Sequence, residues 1–333
     1  MRAVRLRVVA GFVALCLMPL PAHASCGAEG CPLVREGLGA AASRFAFDVR
    51  YQDVTQDKLW SGTNQVALAD VIAGAQVHGE VELFTRTRSW VGEGRAQLTD
   101  RLRVTATLPY LEREHRHWLH HTTVYNPLFL DTWKFQGFAD ATVLGHFSAL
   151  RTAGGTSLLL QGGVKLPTGR THVPEETQIK FGFASALEPS ARPGSGSTDW
   201  LGGGLVSQRL PWQGALPLSG SVLMRWTGKG TDGFKIGDEL QAGLSGGYAP
   251  LGWMTLLAQV NYSGHASDAS ADADEAAHTG MKSLYVTPGV TLRVSPALAI
   301  YGLYQMRAWG KSDEATVVAT NHFLFGSTYS IGH

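Results

Sequence analysis

From Asn321 the chain reads NHFLFGSTYSIGH, and apolar and polar side chains take turns. Phe323, Phe325, Tyr329 and Ile331 fall on one face, and His322, Gly326, Thr328 and Ser330 on the other. RLRVTATLPY repeats the pattern: Leu102, Val104, Ala106, Leu108 and Tyr110 oppose Arg101, Arg103, Thr105 and Thr107. So do ELQAGLSGGY, MTLLAQVNYS and SLYVTPGVTLRV. In LLLQGGVKLPTGRTH, Leu158, Leu160, Val164 and Leu166 oppose Gln161, Gly163 and Lys165, until Pro167 stops the pairing. A period of two over this many segments predicts strands with two unlike environments. Strands are expected to begin near residues 43, 82, 101, 134, 156, 199, 217, 236, 253, 283, 298 and 319.

A soluble sandwich would also alternate, so the connectors decide. Long polar stretches at 54–80, 113–133, 171–197, 264–282 and 309–318 take turns with short ones. The short ones are Thr99-Asp100, 151–155, 211–215, 249–253 and Ser295-Pro296. Alternating short and long connectors are what an outer-membrane barrel shows, with short periplasmic turns and long extracellular loops. The expected fold is therefore all-β: a single antiparallel transmembrane barrel of about twelve strands. An even strand number puts both ends on the periplasmic side. Tyr51, Tyr110, Trp133, Trp200, Trp226, Tyr248, Trp253, Tyr262 and Trp309 fall near expected strand ends, where aromatic girdles belong.

The N-terminus agrees with export. MRAVRLR is basic, VVAGFVALCLMPL is apolar, and Ala22-His23-Ala24 is a small-x-small cleavage site. The alternatives are a membrane anchor, for which the apolar run is short, and a lipoprotein at Cys26, for which His23 is the wrong residue at −3. The division expected is a signal peptide at 1–24, an N-terminal segment at 25–42 and a barrel at 43–333. Cys16 leaves with the signal. Cys26 and Cys31 remain in an exported segment and most simply form a disulfide, the alternatives being a metal or redox pair or free thiols.

The chain has 333 residues, 40 of them glycine, and a formal net charge of +1. That balance argues against a nucleic-acid partner. The expected partners are outer-membrane lipid and a small-molecule permeant, with the chain a monomer and no cofactor needed.

Several stretches, in this order, resemble a known family: LPYLERE after a strand, GFADATVLGHFSAL, GVKLPTGR, GSTDW opening a strand, and VTPGVTLRVSPALAIYGLYQM. Together they resemble the bacterial outer-membrane barrels described as transporters or as phenol-degradation meta-pathway proteins, over roughly residues 80–333. The resemblance implies a barrel that passes small molecules, aromatic or apolar ones among them. The chain departs from many barrels by ending in Ile331-Gly332-His333, while Gly326-x-x-Tyr329-x-Ile331 still resembles a signal for the barrel-assembly machinery.

Alternation assigns to the lumen Arg44, Asp48, Arg50, Arg101, Arg103, Lys134, Asp140, Lys165, Arg225, Glu239 and Arg293. Bases outnumber acids there, which suits an anion-favouring constriction; the competing reading is a lumen filled with paired charges. EREHRHWLHH holds His115, His117, His120 and His121. Imidazoles at this density suit zinc, copper or nickel, and on a strand His115 and His117 share a face. The alternative is a solvated loop with Trp118 at the interface. His146-x-Ser148 and His265-x-Ser267 resemble the pair of an outer-membrane phospholipase, but a catalytic base needs a third group to orient it and none is apparent. The acidic stretch 267–278 reads as a solvated loop. The function expected is a passive channel and not an enzyme. The alternatives are a structural or metal- and ligand-binding barrel without a continuous pore, and a lipid hydrolase.

Overall fold

The computed structural model describes residues 43–332 except 75–79, 120–129, 173–178, 181–182, 185–186, 188, 212–217 and 270–278. Cys26, Cys31, His120 and His121 lie outside the described residues. Among those described, twelve antiparallel strands close into one barrel. They are β1 (Phe45–Gly62), β2 (Glu80–Gln97), β3 (Leu102–Leu119), β4 (Leu130–Phe138, resuming as Ala141–Arg151), β5 (Thr156–Leu166), β6 (Asp199–Gln208), β7 (Leu218–Trp226), β8 (Glu239–Leu251), β9 (Met254–His265) and β10 (Met281–Arg293). The run Leu298–Ile331 supplies the last two. Residues 299–312 pair with β10 and form β11; residues 312–331 pair with β1 and form β12. Tyr304 reaches Asn321, and Gln305 reaches His322, so the two halves lie side by side. Phe45 of β1 faces Ile331 on one side and Ala96 on the other, which closes the sheet.

Short turns crowd one rim. The hydroxyls of Thr99, Thr152 and Ser295 accept backbone N–H bonds from Leu102, Thr156 and Leu298 at 3.0, 3.1 and 3.0 Å. Each is a side-chain turn that reverses the strand within a few residues. Gly155 adds a φ of +80°, which a side chain would strain. The β1–β2 connection at the opposite rim holds a short helix, α1 (Leu68–Gly74).

The alternation has the sense of a barrel in lipid. Phe47, Val49, Leu160, Leu244, Phe325 and Tyr329 point outward and are exposed, as are Trp200, Trp226, Tyr248, Trp253 and Trp309. Asp48, Thr105, Gln259, Asn261, Thr287, Gln305 and Thr328 point inward and are buried. A protein in water arranges its faces the other way round. Lipid requires the apolar face outside and every strand paired on both edges.

The barrel is taller on one side. β1, β2 and β3 each have 18 residues, against 11, 10 and 9 in β5, β6 and β7. Crossing a bilayer takes about 9–11. The extra height takes up the starts of the stretches expected as loops at 54–80 and 113–133, and all of 309–318. The alternation continues there, but the outward residues are Asp53, Arg86, Arg88, Glu114 and Arg116. Charged outward positions made strand look like loop.

Lys134, expected in the lumen, points outward, beside Glu114 at 3.5 Å. The cause is one extra residue at the break in β4. Phe138 pairs with Tyr110, whereas Thr142 pairs with Thr107. A one-residue bulge reverses the faces of everything beyond it. Below the break His146 and Ser148 face inward; above it Trp133 and Phe135 do. Trp133 is therefore no girdle residue but a buried inner one. Trp118 is fully buried as well, on the face opposite His117, packed with Leu59, Val81 and Val317 under Val66, Leu68 and Val71 of the β1–β2 connection.

Candidate functional site

The inner wall is organised by two charge networks. In the first, Asp48 accepts from Tyr301 Oη at 2.8 and 2.9 Å, from Thr328 Oγ1 at 2.7 Å and from Arg50 at 3.3 Å. Arg50 also lies 3.7 Å from Glu93, which meets Arg95 at 3.6 Å and accepts from Thr107 at 3.1 Å. Gly326 makes this possible. A Cβ there would come within 2.7 Å of the Tyr301 hydroxyl and 2.8 Å of the Arg50 Cβ, so a side chain would push apart the groups that hold Asp48.

The second network runs around the wall through five strands or their junctions. Lys165 Nζ lies 2.6 Å from Asp140 and 3.2 Å from Asp199; Arg225 lies 3.5 Å from Asp199 and 3.4 Å from Glu239. Lys165, Asp140 and Asp199 are at most 4% exposed. Three carboxylates thus face two cations. Buried charges are tolerated when paired and hydrogen-bonded, and these are.

The same network pins the β5–β6 connection, residues 167–198. Asp140 accepts from the Gly169 N–H at 2.8 Å, the Ser195 N–H at 3.1 Å and the Ser195 hydroxyl at 2.9 Å. Lys165 donates to Ser195 Oγ and to the Ser197 carbonyl. Between these anchors, two described residues of the connection pack against the inner wall. Leu187 and Ala191 are buried with Leu111, Trp133, Phe135 and Ala139. Arg113, across the barrel wall on β3, donates to the Ala191 carbonyl at 2.6 Å and to Thr87 at 2.9 Å.

Of the residues assigned to the lumen from sequence, Asp48, Arg50, Asp140, Lys165, Arg225 and Glu239 join these networks. Arg103 is half-buried on the inner face of β3. Arg44, Arg101 and Arg293 are exposed at the short-turn rim, where alternation no longer means lumen. Glu93 and Asp199 were missed, although both sit on the inward phase of their strands. Glu93 lies in GEGRAQ, and Asp199 lies at the first residue of a glycine-rich strand.

At the long-loop rim His115 and His117 share the inner face of β3, as strand spacing requires, and Glu82 of β2 joins them. His146 meets Thr105 at 3.2 Å and Gln161 at 3.4 Å. In the β9–β10 connection, Asp268 of the acidic stretch is buried rather than solvated and accepts from the Gly237 N–H at 2.8 Å. Burial pushes its pKa up to about 6, against the hydrogen bonds from Gly237 and Thr279 and the charge of Arg225. An apolar groove of about 420 Å³ lies on the outer face instead, lined by Val49, Tyr51, Trp90, Ile300 and Phe325.

The architecture defines a class first: a bacterial outer-membrane type of β-barrel. No family model matches the chain, and no curated protein does. Among solved structures it is similar to the COG4313 outer membrane channel from Pseudomonas putida F1. The identity is 12%, the match covers 88% of this chain and 97% of that one, and the TM-score is 0.59. It also matches the translocator domain of the autotransporter NalP from Neisseria meningitidis, at 12% identity, 90% and 92% coverage and a TM-score of 0.47. A FadL homologue from Pseudomonas aeruginosa matches at 8% identity, 87% and 90% coverage and a TM-score of 0.42. At these identities the likeness is one of fold, and the last two are too distant to carry an argument.

Proposed function

We propose that this protein is a monomeric outer-membrane channel or transporter for small molecules. In this reading the short turns face the periplasm, the long connections face outward, and the N-terminal signal exports the chain to the barrel-assembly machinery. The observation that carries it is the inverted polarity of the closed barrel: apolar and exposed outside, polar and buried inside. The likeness to a solved outer membrane channel supports the same reading. The paired charges weigh against an anion-favouring constriction, because the second network holds more acid than base. An aromatic or apolar permeant fits better. Leu111, Trp133 and Phe135 form one apolar patch on the inner wall, against which Leu187 and Ala191 of the β5–β6 connection pack, and Leu257, Leu303 and Leu324 form another.

That covering connection also favours a second reading, a binding barrel whose lumen does not conduct. Planar-bilayer recording on refolded protein separates the two. A channel gives conductance steps, and Asp140→Asn, which loosens the anchors at Gly169 and Ser195, should raise open probability or step size. Silence in both proteins would leave the binding barrel as the account.

A further inference from the structure

Glu82, His115 and His117 each offer one donor atom within 4.8 Å of the other two. The Nε2 atoms of His115 and His117 are 2.5 Å apart, and Glu82 Oε1 lies 3.9 and 3.8 Å from them. The remaining donor atoms of two of these groups are already committed. Thr85 Oγ1 bonds His115 Nδ1 at 2.6 Å, and Thr316 Oγ1 donates to Glu82 Oε2 at 2.6 Å. Each threonine therefore turns the opposite atom of its partner toward the shared point. Metal-binding imidazoles and carboxylates are oriented in this way by groups behind them. Trp133 packs against both rings, at 5.8 and 5.2 Å between centroids, and limits their rotation.

A polar cluster with no ligand would explain part of this. One proton shared between two imidazoles accounts for the short Nε2 contact. It leaves Glu82 Oε1 aimed at both nitrogens from beyond direct hydrogen-bond distance. We propose that Glu82, His115 and His117 form a binding site for a first-row divalent transition ion, zinc being the ion to test. Bonds of about 2.0–2.1 Å at tetrahedral angles place ligand atoms roughly 3.3 Å apart. The two nitrogens must open by somewhat under about 1 Å and Glu82 must close by about half that, which side-chain torsions supply. Two imidazoles and one carboxylate suit zinc, copper or nickel; calcium and magnesium take oxygen shells. Three protein ligands leave a fourth position for water or an incoming ligand. The ion would tie β2 to β3 at the mouth of the barrel, with Thr316 linking the site to β12.

The test is cobalt and zinc titration of refolded, metal-free, full-length protein. Cobalt is read by its visible ligand-field absorption and zinc by competition. The expected result is one ion per chain, bound at least about 100-fold more weakly by the Glu82→Gln/His117→Gln double variant. Thr85→Val should weaken binding about 10–100-fold, and His172→Gln, on an exposed connection, should not. Heat-modifiable gel migration reports folding. If the double variant does not fold, Thr85→Val decides alone. No binding at micromolar zinc, or affinity unchanged in either site variant, would overturn the proposal.

Discussion

The two sides of this barrel solve different problems with the same strand chemistry. On the low side, β5 to β7 are no longer than a bilayer crossing needs, and their outward residues are apolar except for Thr156 and Gln208, which bond each other at the short-turn end. On the tall side, β1 to β4 rise past the ring formed by Tyr51, Trp90, Tyr110 and Phe138, whose neighbouring rings lie 5.1 and 5.3 Å apart. Above that ring the outward face becomes charged. Arg86 and Arg88 flank Asp53, and Arg116 and Lys134 flank Glu114. The inward face of the same segment turns partly apolar, because it must hold the β5–β6 connection. Outward polarity therefore reports the solvent at each height, and inward polarity reports what fills the lumen there.

The largest expected effect comes from the junction between the two sides. Lys165→Met would leave Asp140 and Asp199 buried around a lost cation, and should cost about 3–5 kcal/mol. Urea unfolding in lipid vesicles measures it. A loss below about 1 kcal/mol would mean that the network is solvated and does not hold the connection. Trp118→Ala should open a cavity worth about 3–5 kcal/mol, but within the tall extension only. Protease should then cut near residues 113–119 while the low side stays resistant. Equal release of both sides would erase the distinction between them.

A charge placed outward sharpens the comparison by height. Leu160→Arg, on the low side and facing lipid, should destabilise by about 2–4 kcal/mol. Glu112→Arg, outward on the tall side, should cost far less, because water or headgroups meet it. Similar losses would place the membrane boundary higher than the aromatic ring.

The pH dependence of the β9–β10 connection should be smaller. The pKa of Asp268 is raised by burial from 3.8 to about 6. A raised carboxyl contributes stability that is full below about pH 4 and is lost as pH rises through 6. Hydrogen exchange in residues 266–269 should therefore be slower at pH 5 than at pH 7.5 after correction for intrinsic rates. Asp268→Asn should remove the difference. The smallest effect should come from Arg86→Gln, which breaks a solvent-screened pair with Asp53 and should change stability by about 0–1 kcal/mol.

The sequence by itself determined the barrel. Period-two alternation, an even run of strands and connectors that alternate in length depend on neighbours along the chain, and lipid outside the wall enforces them at every crossing. Strand starts near 43, 82, 101, 156, 199, 217, 253, 283 and 298 fall within two residues of those observed. Asp48, Arg50, Lys165 and Arg225 were legible as inward charges for the same reason, and His115 with His117 as a shared face. Tertiary structure decided what alternation could not carry. One extra residue in β4 turned Lys134 outward and Trp133 inward, and nothing in the local pattern marks a bulge. Asp199 and Glu93 became partners of Lys165, Arg225 and Arg50 only when strand register brought them alongside. Glu82 lies 33 residues before His115 and reaches it because β2 and β3 pair antiparallel across a short turn. Contacts between strands are set by register, and register is settled by the closure of the whole sheet.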